Sequence, residues 1–316
     1  MTRQRSARQR STIGDAPLLI TGAGGFLGRH LVNAAVRRGE SVVAVVRRSL
    51  DNCPILSAET LGRIRVERVD LTDAAATAEL IRRVVPDRIV HLAGYAEGLP
   101  GPEHLLASFD GDLRTTVHLL AASIGRVAGR VVITGSLEEP EPGSPPSSPY
   151  AIAKRAGVEY ALGVRDLYGL PVAVARIFMT YGPGQRERKL IPYVIDSLLT
   201  GREPELGDPG RSVDWVHVDD VVEGLLSMTE HPGAIGDPIE LGSGHGTTLG
   251  ETVETIRELL GSRVAIRWNA RPPRPRERVR TATVEATARR IDWQPRVALR
   301  DGLARTIETL RRRIRG

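Results

Sequence analysis

Thr21-Gly22-Ala23-Gly24-Gly25-Phe26-Leu27-Gly28 is the stretch whose reading decides the fold. An apolar run, Pro17 to Thr21 (PLLIT), leads into it. Phe26 to Arg38 follows with helical spacing, its apolar positions being Phe26, Leu27, Leu31, Ala34 and Ala35. Ser41 to Val46 (SVVAVV) is then a continuous apolar, β-branched run, the pattern of a strand buried on both faces. Between a strand and a helix the glycines have separate tasks. Gly22 permits a tight turn, Gly25 lets backbone approach a pyrophosphate, and Gly28 lets helix and strand pack closely. The helix start offers free N–H groups and a positive dipole end to phosphates. The stretch therefore predicts a dinucleotide-binding βαβ unit.

The same alternation continues outward. Ile64 to Val69, Arg88 to Leu92, Arg130 to Thr134 and Val172 to Phe178 read as strands. Ala74 to Val85, Glu103 to Ile124 and Pro149 to Tyr168 read as helices. Short strands separated by helices predict an α/β fold, a Rossmann-type doubly wound parallel sheet. Past Thr180 the pattern is less regular, with helices near Leu190 to Thr200, Val218 to Thr229 and Thr248 to Leu260. Arg271 to Arg280 (RPPRPRERVR) is not helical throughout because of its prolines. The expected organisation is a basic disordered tail over 1–15, a dinucleotide-binding domain over 16–178, and a smaller mixed α/β unit over 179–316. That last unit mainly binds substrate, and its 214–230 segment is expected to pack back on the first domain.

Composition narrows the function classes. The chain has 316 residues, 41% hydrophobic and 26% charged, the balance of an ordinary globular protein. No apolar run reaches the ~18 residues of a membrane span, and the first residues contain no apolar signal-peptide core. Cys53 is the single cysteine, so a reducing cytoplasm is the simple reading. The net charge is +6, and of 44 basic residues only Lys154 and Lys189 are lysines. The arginines are spread along the chain beside acids, and aromatics are only 4%, too few for a base-stacking surface. No nucleic-acid partner and no metal centre are expected.

The end of the second strand selects the cofactor. An acid there would hold the ribose 2′-hydroxyl of NAD, whereas arginine accommodates a 2′-phosphate. Here Val46 is followed by Arg47 and Arg48, and the first acid is Asp51. Arg47 and Arg48 can clamp a phosphate, so NADP(H) is favoured over NAD(H).

Tyr150 and Lys154 stand four residues apart on an expected helix, hence on one face. An ammonium beside a phenol favours the phenolate and lowers its pKa. A chain that uses lysine so sparingly places one of its two here. Ser136 follows the strand RVVIT, at the strand end where parallel sheets hold ligands.

Together these residues resemble the extended short-chain dehydrogenase/reductase family of NAD(P)-dependent nucleotide-sugar epimerases, dehydratases and reductases. The carrying motifs are TGAGGFLG (Thr21 to Gly28), VDLTD (Val69 to Asp73), IVHLAG (Ile89 to Gly94), VITGS (Val132 to Ser136) and SPYAIAK (Ser148 to Lys154). ARIFMTYGPGQ (Ala175 to Gln185), DWVHVDD (Asp214 to Asp220), RPRERVR (Arg274 to Arg280) and DWQPR (Asp292 to Arg296) complete them. The resemblance implies that Asp70 and Leu71 flank the adenine and that Ala93 lies along the cofactor. It makes Ser136, Tyr150 and Lys154 the catalytic set. Arg274 and Arg211 would hold the nucleotide diphosphate, with Glu138 and Met179 also facing substrate. The chain departs from the family in having Met179 and Asp112 where asparagine is usual, and Glu138-Glu139-Pro140 where Tyr-Gly commonly stands. Val213 occupies the place of the family's arginine.

Three reactions share such a site. Dehydration needs an Asp-Glu pair after the hydroxyl residue, and Leu137-Glu138 replaces it here, so dehydration is disfavoured. Arg47 and the missing acid favour net reduction: NADPH-dependent reduction of the 4-keto group of a nucleotide-activated deoxysugar, with C4 epimerisation as the alternative. A non-catalytic NADP-binding sensor is the reading from another class, and the intact Ser-Tyr-Lys set weighs against it. The resemblance also implies a homodimer through the two long helices, with Leu105, Leu106, Leu113, Val117 and Leu120 as its apolar stripe.

Overall fold

β1 (Leu18–Thr21) ends at the glycine turn and α1 (Phe26–Arg37) leaves it. β2 (Val42–Val46), the short α2 (Ala58–Gly62), β3 (Ile64–Arg68), α3 (Ala74–Val84) and β4 (Arg88–His91) follow. Then come α4 (Leu105–Ser108), α5 (Thr115–Ser123), β5 (Arg130–Ser136), α6 (Pro149–Tyr168), β6 (Val172–Ile177) and β7 (Met179–Tyr181). The remainder comprises α7 (Leu190–Leu199), β8 (Ser212–His217), α8 (Val218–Glu230), β9 (Ile239–Leu241) and β10 (Gly246–Thr248). Helices α9 (Leu249–Leu260), α10 (Val284–Ile291) and α11 (Leu299–Arg315) complete the chain. This computed structural model describes residues 16–50, 55–272, 276 and 278–315. The expected tail over 1–15, Asp51, Cys53 and Arg274 lie outside the described residues.

The expected parallel sheet is present, with seven strands in the order β3-β2-β1-β4-β5-β6-β9. Every pairing in it is parallel. Alternate residues of each strand serve opposite cores. Leu18 and Ile20 of β1 pack with Leu31, Val32, Val221 and Leu225 of α1 and α8. Leu19 turns to the other face, with Leu80 and Ile81 of α3, Leu119 of α5 and Val158 of α6. Helices on both faces explain why these strands read as unbroken apolar runs. The chain order reverses between β1 and β4, so the two strand ends flank an open crevice, the usual ligand position in such sheets. The segment after β8 returns to this sheet, because α8 lies against α1 and β5. A three-stranded sheet, β10-β8-β7, stands beside it. Its core joins Tyr181, Trp215, Ile191, Val253 and Leu303.

Local chemistry sets the helix boundaries. Asp73 caps α3 by accepting from the N–H groups of Ala75 and Ala76. Ser148 caps α6 through Ala151, with Pro149 in the first turn. Thr248 and Glu251 form a reciprocal capping box on α9. Gly169 and Gly261 end α6 and α9 in the left-handed conformation.

One expected element is different. The helix expected over Glu103 to Ile124 is a 3-10 turn at Pro102–His104, then α4, a π-helical turn at Phe109–Arg114, and α5. Gly111 faces Tyr95 so closely that a Cβ would lie 3.1 Å from the Tyr95 Cβ. The hydroxyls of Thr115 and Thr116 take the carbonyls of Gly111 and Asp112 at 2.7 and 2.6 Å, a back-bonding that bends helices. Leu120, expected on a dimer stripe, is instead buried in the core. The exposed apolar side chains on this face are Leu105, Leu106 and Phe109, with Ile152 and Tyr160 of α6.

Candidate active site

The C-terminal ends of β1, β2, β3, β4 and β5 bring the glycine turn, Arg47, Asp70, Ala93 and Ser136 to one edge of the sheet. Gly22 has φ +65°, and a Cβ there would lie 2.6 Å from the Ala93 nitrogen. The turn is thus pressed against the end of β4. A Cβ on Gly28 would run into the Gly22 carbonyl, so α1 approaches the turn as only glycine allows. Gly25 precedes α1, is exposed, and offers no side-chain cap. The first N–H groups of α1 therefore have no side-chain acceptor at that cap, as a phosphate cradle requires. Phe26 and Leu27 are half-buried behind it. The Thr21 hydroxyl accepts from the N–H groups of Leu92 and Ala93 at 3.1 and 3.2 Å. It also contacts His91 Nδ1 at 2.8 Å. These bonds lock β1 to β4 beneath the turn.

Arg47 and Arg48 are exposed just beyond β2. Asp70 is exposed after β3, and its carboxyl is held below the usual range by the Thr72 N–H and hydroxyl, with Arg47 adding attraction. Leu71 is buried in the α3–α5 core, and His118 Nδ1 lies 3.0 Å from its carbonyl.

The structure brings Ser136, Tyr150 and Lys154 together. Ser136 is the last residue of β5, and its Oγ accepts the Glu138 N–H at 3.1 Å. Its side chain faces the Tyr150 phenol and opposes the rise in that phenol's pKa. Lys154 Nζ donates to the Thr134 carbonyl at 3.0 Å and lies 3.6 Å from Asp112 Oδ1. It stands 5.8 Å from the Tyr150 ring centre. The expectation that Lys154 makes Tyr150 acidic is not met in this state. Burial pushes the phenol above its ordinary value, and Asp112, Glu138 and Glu139 add to that, against the Ser136 side chain. The ammonium is engaged by Asp112 and Thr134 instead. His91, fully buried behind Lys154, is pushed down to about 3 by burial and by that ammonium, and stays neutral.

Beside this set lies an open cleft. Glu138, Met179 and Arg211 meet in its wall, joined by Arg278 and Arg280, which sequence reasoning passed over. Their signal was the remainder of the RPRERVR motif. Burial, and then Arg280, lower the Arg278 pKa, with Arg176 acting in the same sense and Glu141 and Glu139 opposing. The cleft floor is held by Asp214, whose buried carboxylate accepts from the N–H groups of Ser243, Gly244 and Ala282 and from the Ser243 hydroxyl. Among the described residues no group of three or more His, Cys, Asp or Glu is placed to hold a metal ion. No helix among them is long and apolar enough to cross a membrane.

Comparison with known proteins agrees with this architecture. The pattern of the NAD dependent epimerase/dehydratase family matches residues 18–242. A UDP-glucose 4-epimerase of Mycolicibacterium smegmatis is 31% identical over 93% of this chain and 98% of its own length. A dTDP-glucose 4,6-dehydratase of Streptomyces griseus is 33% identical over 92% of each chain. The structure of MoeE5 in complex with UDP-glucose and NAD superposes with a TM-score of 0.81 at 29% identity, over 95% of this chain and all of that one. With the glycine turn, the parallel sheet and the matched span in agreement, the chain belongs to the NAD dependent epimerase/dehydratase family, within the extended short-chain dehydrogenase/reductases.

Proposed function

We propose that the protein carries out hydride transfer at C4 of a nucleotide-activated sugar, using Ser136, Tyr150 and Lys154. The observation that carries this reading is the convergence of Ser136, at the end of β5, with Tyr150 and Lys154 one helical turn apart on α6, the Lys154 Nζ 5.8 Å from the Tyr150 ring centre. In it, Ser136 and Tyr150 hydrogen-bond the C4 oxygen, and Tyr150 gives or takes its proton. Lys154 reaches the cofactor ribose from the same helix face. A nicotinamide cofactor, when bound, supplies or accepts the hydride. The glycine turn fits its pyrophosphate, since the first N–H groups of α1, after the exposed Gly25, have no side-chain acceptor at that cap.

The nucleotide diphosphate is assigned to the cleft of Arg211, Arg278 and Arg280, where an anion would relieve the crowding of positive charge. Arg274 is assigned to the same phosphates by its motif. Leu137 is buried beside Ser136 and has no proton to donate, which disfavours water loss even though one relative is a dehydratase.

C4 epimerisation is favoured by the epimerase relative, which this chain matches nearly end to end. Net reduction of a 4-keto sugar by NADPH is favoured by a different observation. Arg47 and Arg48 stand exposed at the end of β2, and among the described residues that follow it directly, 47–50, there is no acid to take the ribose 2′-hydroxyl. Incubation with UDP-sugars and NAD or NADPH separates the two. A C4 epimer formed without net cofactor turnover is the first, and loss of reduced-nicotinamide absorbance with a 4-keto sugar is the second. Neither product, from a protein that binds cofactor, would sink both and leave the non-catalytic sensor.

A further inference from the structure

Glu139 is a buried carboxylate beside Ser136 that the chemistry proposed above does not use. It closes a turn on the last residue of β5. Pairing with β4 ends at Ile133, opposite His91, so at Ser136 the strand is paired with β6 alone. There the Ile177 carbonyl takes the Leu137 N–H at 3.0 Å. The Ser136 N–H goes instead to Glu139 Oε1 at 2.5 Å, and the Ser136 carbonyl accepts the Glu139 N–H at 3.2 Å. A buried N–H has to find a partner, and for Ser136 that partner is a side chain.

The carboxylate is itself held. Its Oε2 accepts from Arg176 of β6 at 3.0 Å. Arg176 lies opposite Gly135 in the sheet, and a Cβ on Gly135 would sit 2.2 Å from Glu139 Oε1. The side chain missing at 135 leaves the space that the carboxylate occupies. Arg278 of the cleft also reaches this turn, but it donates to the Glu139 carbonyl and to Glu141, not to the Glu139 carboxylate.

We propose that Glu139 is a positioning residue for Ser136: Arg176 fixes one carboxylate oxygen, and the other sets the main chain at Ser136 and with it the place of the Ser136 hydroxyl. The inference rests on the reading of Ser136 as a group that hydrogen-bonds the C4 oxygen. A displacement of about 1 Å in such a contact costs on the order of 10²-fold in rate, so a loosened turn acts on turnover. Because Arg278 is anchored on the main chain, loss of the carboxylate leaves the cleft arginine its anchor, and substrate binding changes little.

The first measurement is amide hydrogen exchange of the full chain, resolved to single residues by mass spectrometry. In the unsubstituted protein the Ser136 amide is expected to exchange at least about 10²-fold more slowly than an open amide. In Glu139→Ala it should exchange at least about tenfold faster, while Val132 and Ile133 within β5 keep their rates. Glu139→Asp keeps the charge but withdraws it by one methylene, and should show the same change where Glu139→Ala does not fold. Glu139→Gln keeps an oxygen in reach and should retain most of the protection. An open Ser136 amide in the unsubstituted protein overturns the proposal, whether or not a variant folds. Unchanged Ser136 exchange in the variants overturns it too, as does exchange that quickens along all of β5, the mark of a purely structural role.

The second measurement is turnover of UDP-glucose with NAD. Glu139→Ala should lower kcat about ten- to a hundredfold with KM nearly unchanged, and should lower it no further in a Ser136→Ala background. Equal losses in both backgrounds would show that Glu139 does not act through Ser136. Failure of the catalytic reading is distinct. It would appear as undiminished turnover by Ser136→Ala, or as no turnover at all, and the exchange rates would still decide whether Glu139 holds Ser136.

Discussion

Gly28 lies directly under the carbonyl of Gly22, with Ala23 Cα 2.7 Å from the position a Cβ on Gly28 would take. Both neighbours are backbone, so neither can swing aside. Gly28→Ala must push α1 off the turn, an overpacking that costs about 1–3 kcal/mol. It also withdraws the helix N-terminus from the pyrophosphate. We expect a lower melting temperature and at least a roughly tenfold loss of cofactor affinity, read by nicotinamide fluorescence titration. Unchanged affinity would show that the turn does not hold the cofactor.

The proposed preference for NADP(H) rests on Arg47 and Arg48, exposed just beyond β2. If Arg47 pairs with a 2′-phosphate, Arg47→Ala removes a charge-assisted contact of about 1.5–3 kcal/mol. NADPH should then bind roughly ten- to a hundredfold more weakly, while NADH stays nearly as before. Equal affinity of the unsubstituted protein for both cofactors would remove this basis for net reduction.

Tyr150→Phe deletes only a hydroxyl, so the fold and cofactor binding should survive. A positioned proton donor is worth about 10²–10⁴-fold, and turnover should fall by that factor with little change in ground-state affinity. Lys154→Met should lose activity and also weaken the cofactor, because the proposed site assigns its ammonium to the ribose as well.

His91 gives the fold an acid sensitivity whose sign is fixed. Burial lowers it from 6.5 to about 3, so the unfolded chain binds a proton between those values and the native chain does not. Stability from this residue is complete above the unfolded value and declines as pH falls toward about 3. Urea unfolding at about pH 7 and about pH 4 should show His91→Gln losing less stability on acidification than the unsubstituted protein. Equal losses would place the acid sensitivity elsewhere.

Leu105, Leu106, Phe109, Ile152 and Tyr160 form an exposed apolar face on α4, the π turn and α6. A second copy of this chain is the occupant we propose for it. Light scattering should give a dimer mass at micromolar concentration, and Leu106→Asp should give a monomer with an intact fold. A monomer mass for the unsubstituted protein would exclude the interface.

The sequence by itself determined the sheet, because a parallel strand covered on both faces must be apolar at every position, as in Leu18–Thr21 and Val42–Val46. It also determined the glycine turn, since Gly22 and Gly28 meet constraints that act over a few residues. The four-residue step from Tyr150 to Lys154 was legible for the same reason. What the tertiary structure decided were contacts between distant segments. The helix read over Glu103 to Ile124 carries favourable spacing throughout, and only Tyr95, arriving from the end of β4, opens it into a π turn. That turn carries Asp112 to Lys154, so the charge expected to act on Tyr150 is met by one 42 residues earlier. Arg278 and Arg280 reach Glu138 and Arg211 only because the strands β7, β8 and β10 fold beside the parallel sheet. Periodicity reports which face of an element is buried, whereas the electrostatics of a site depend on which elements that burial brings together.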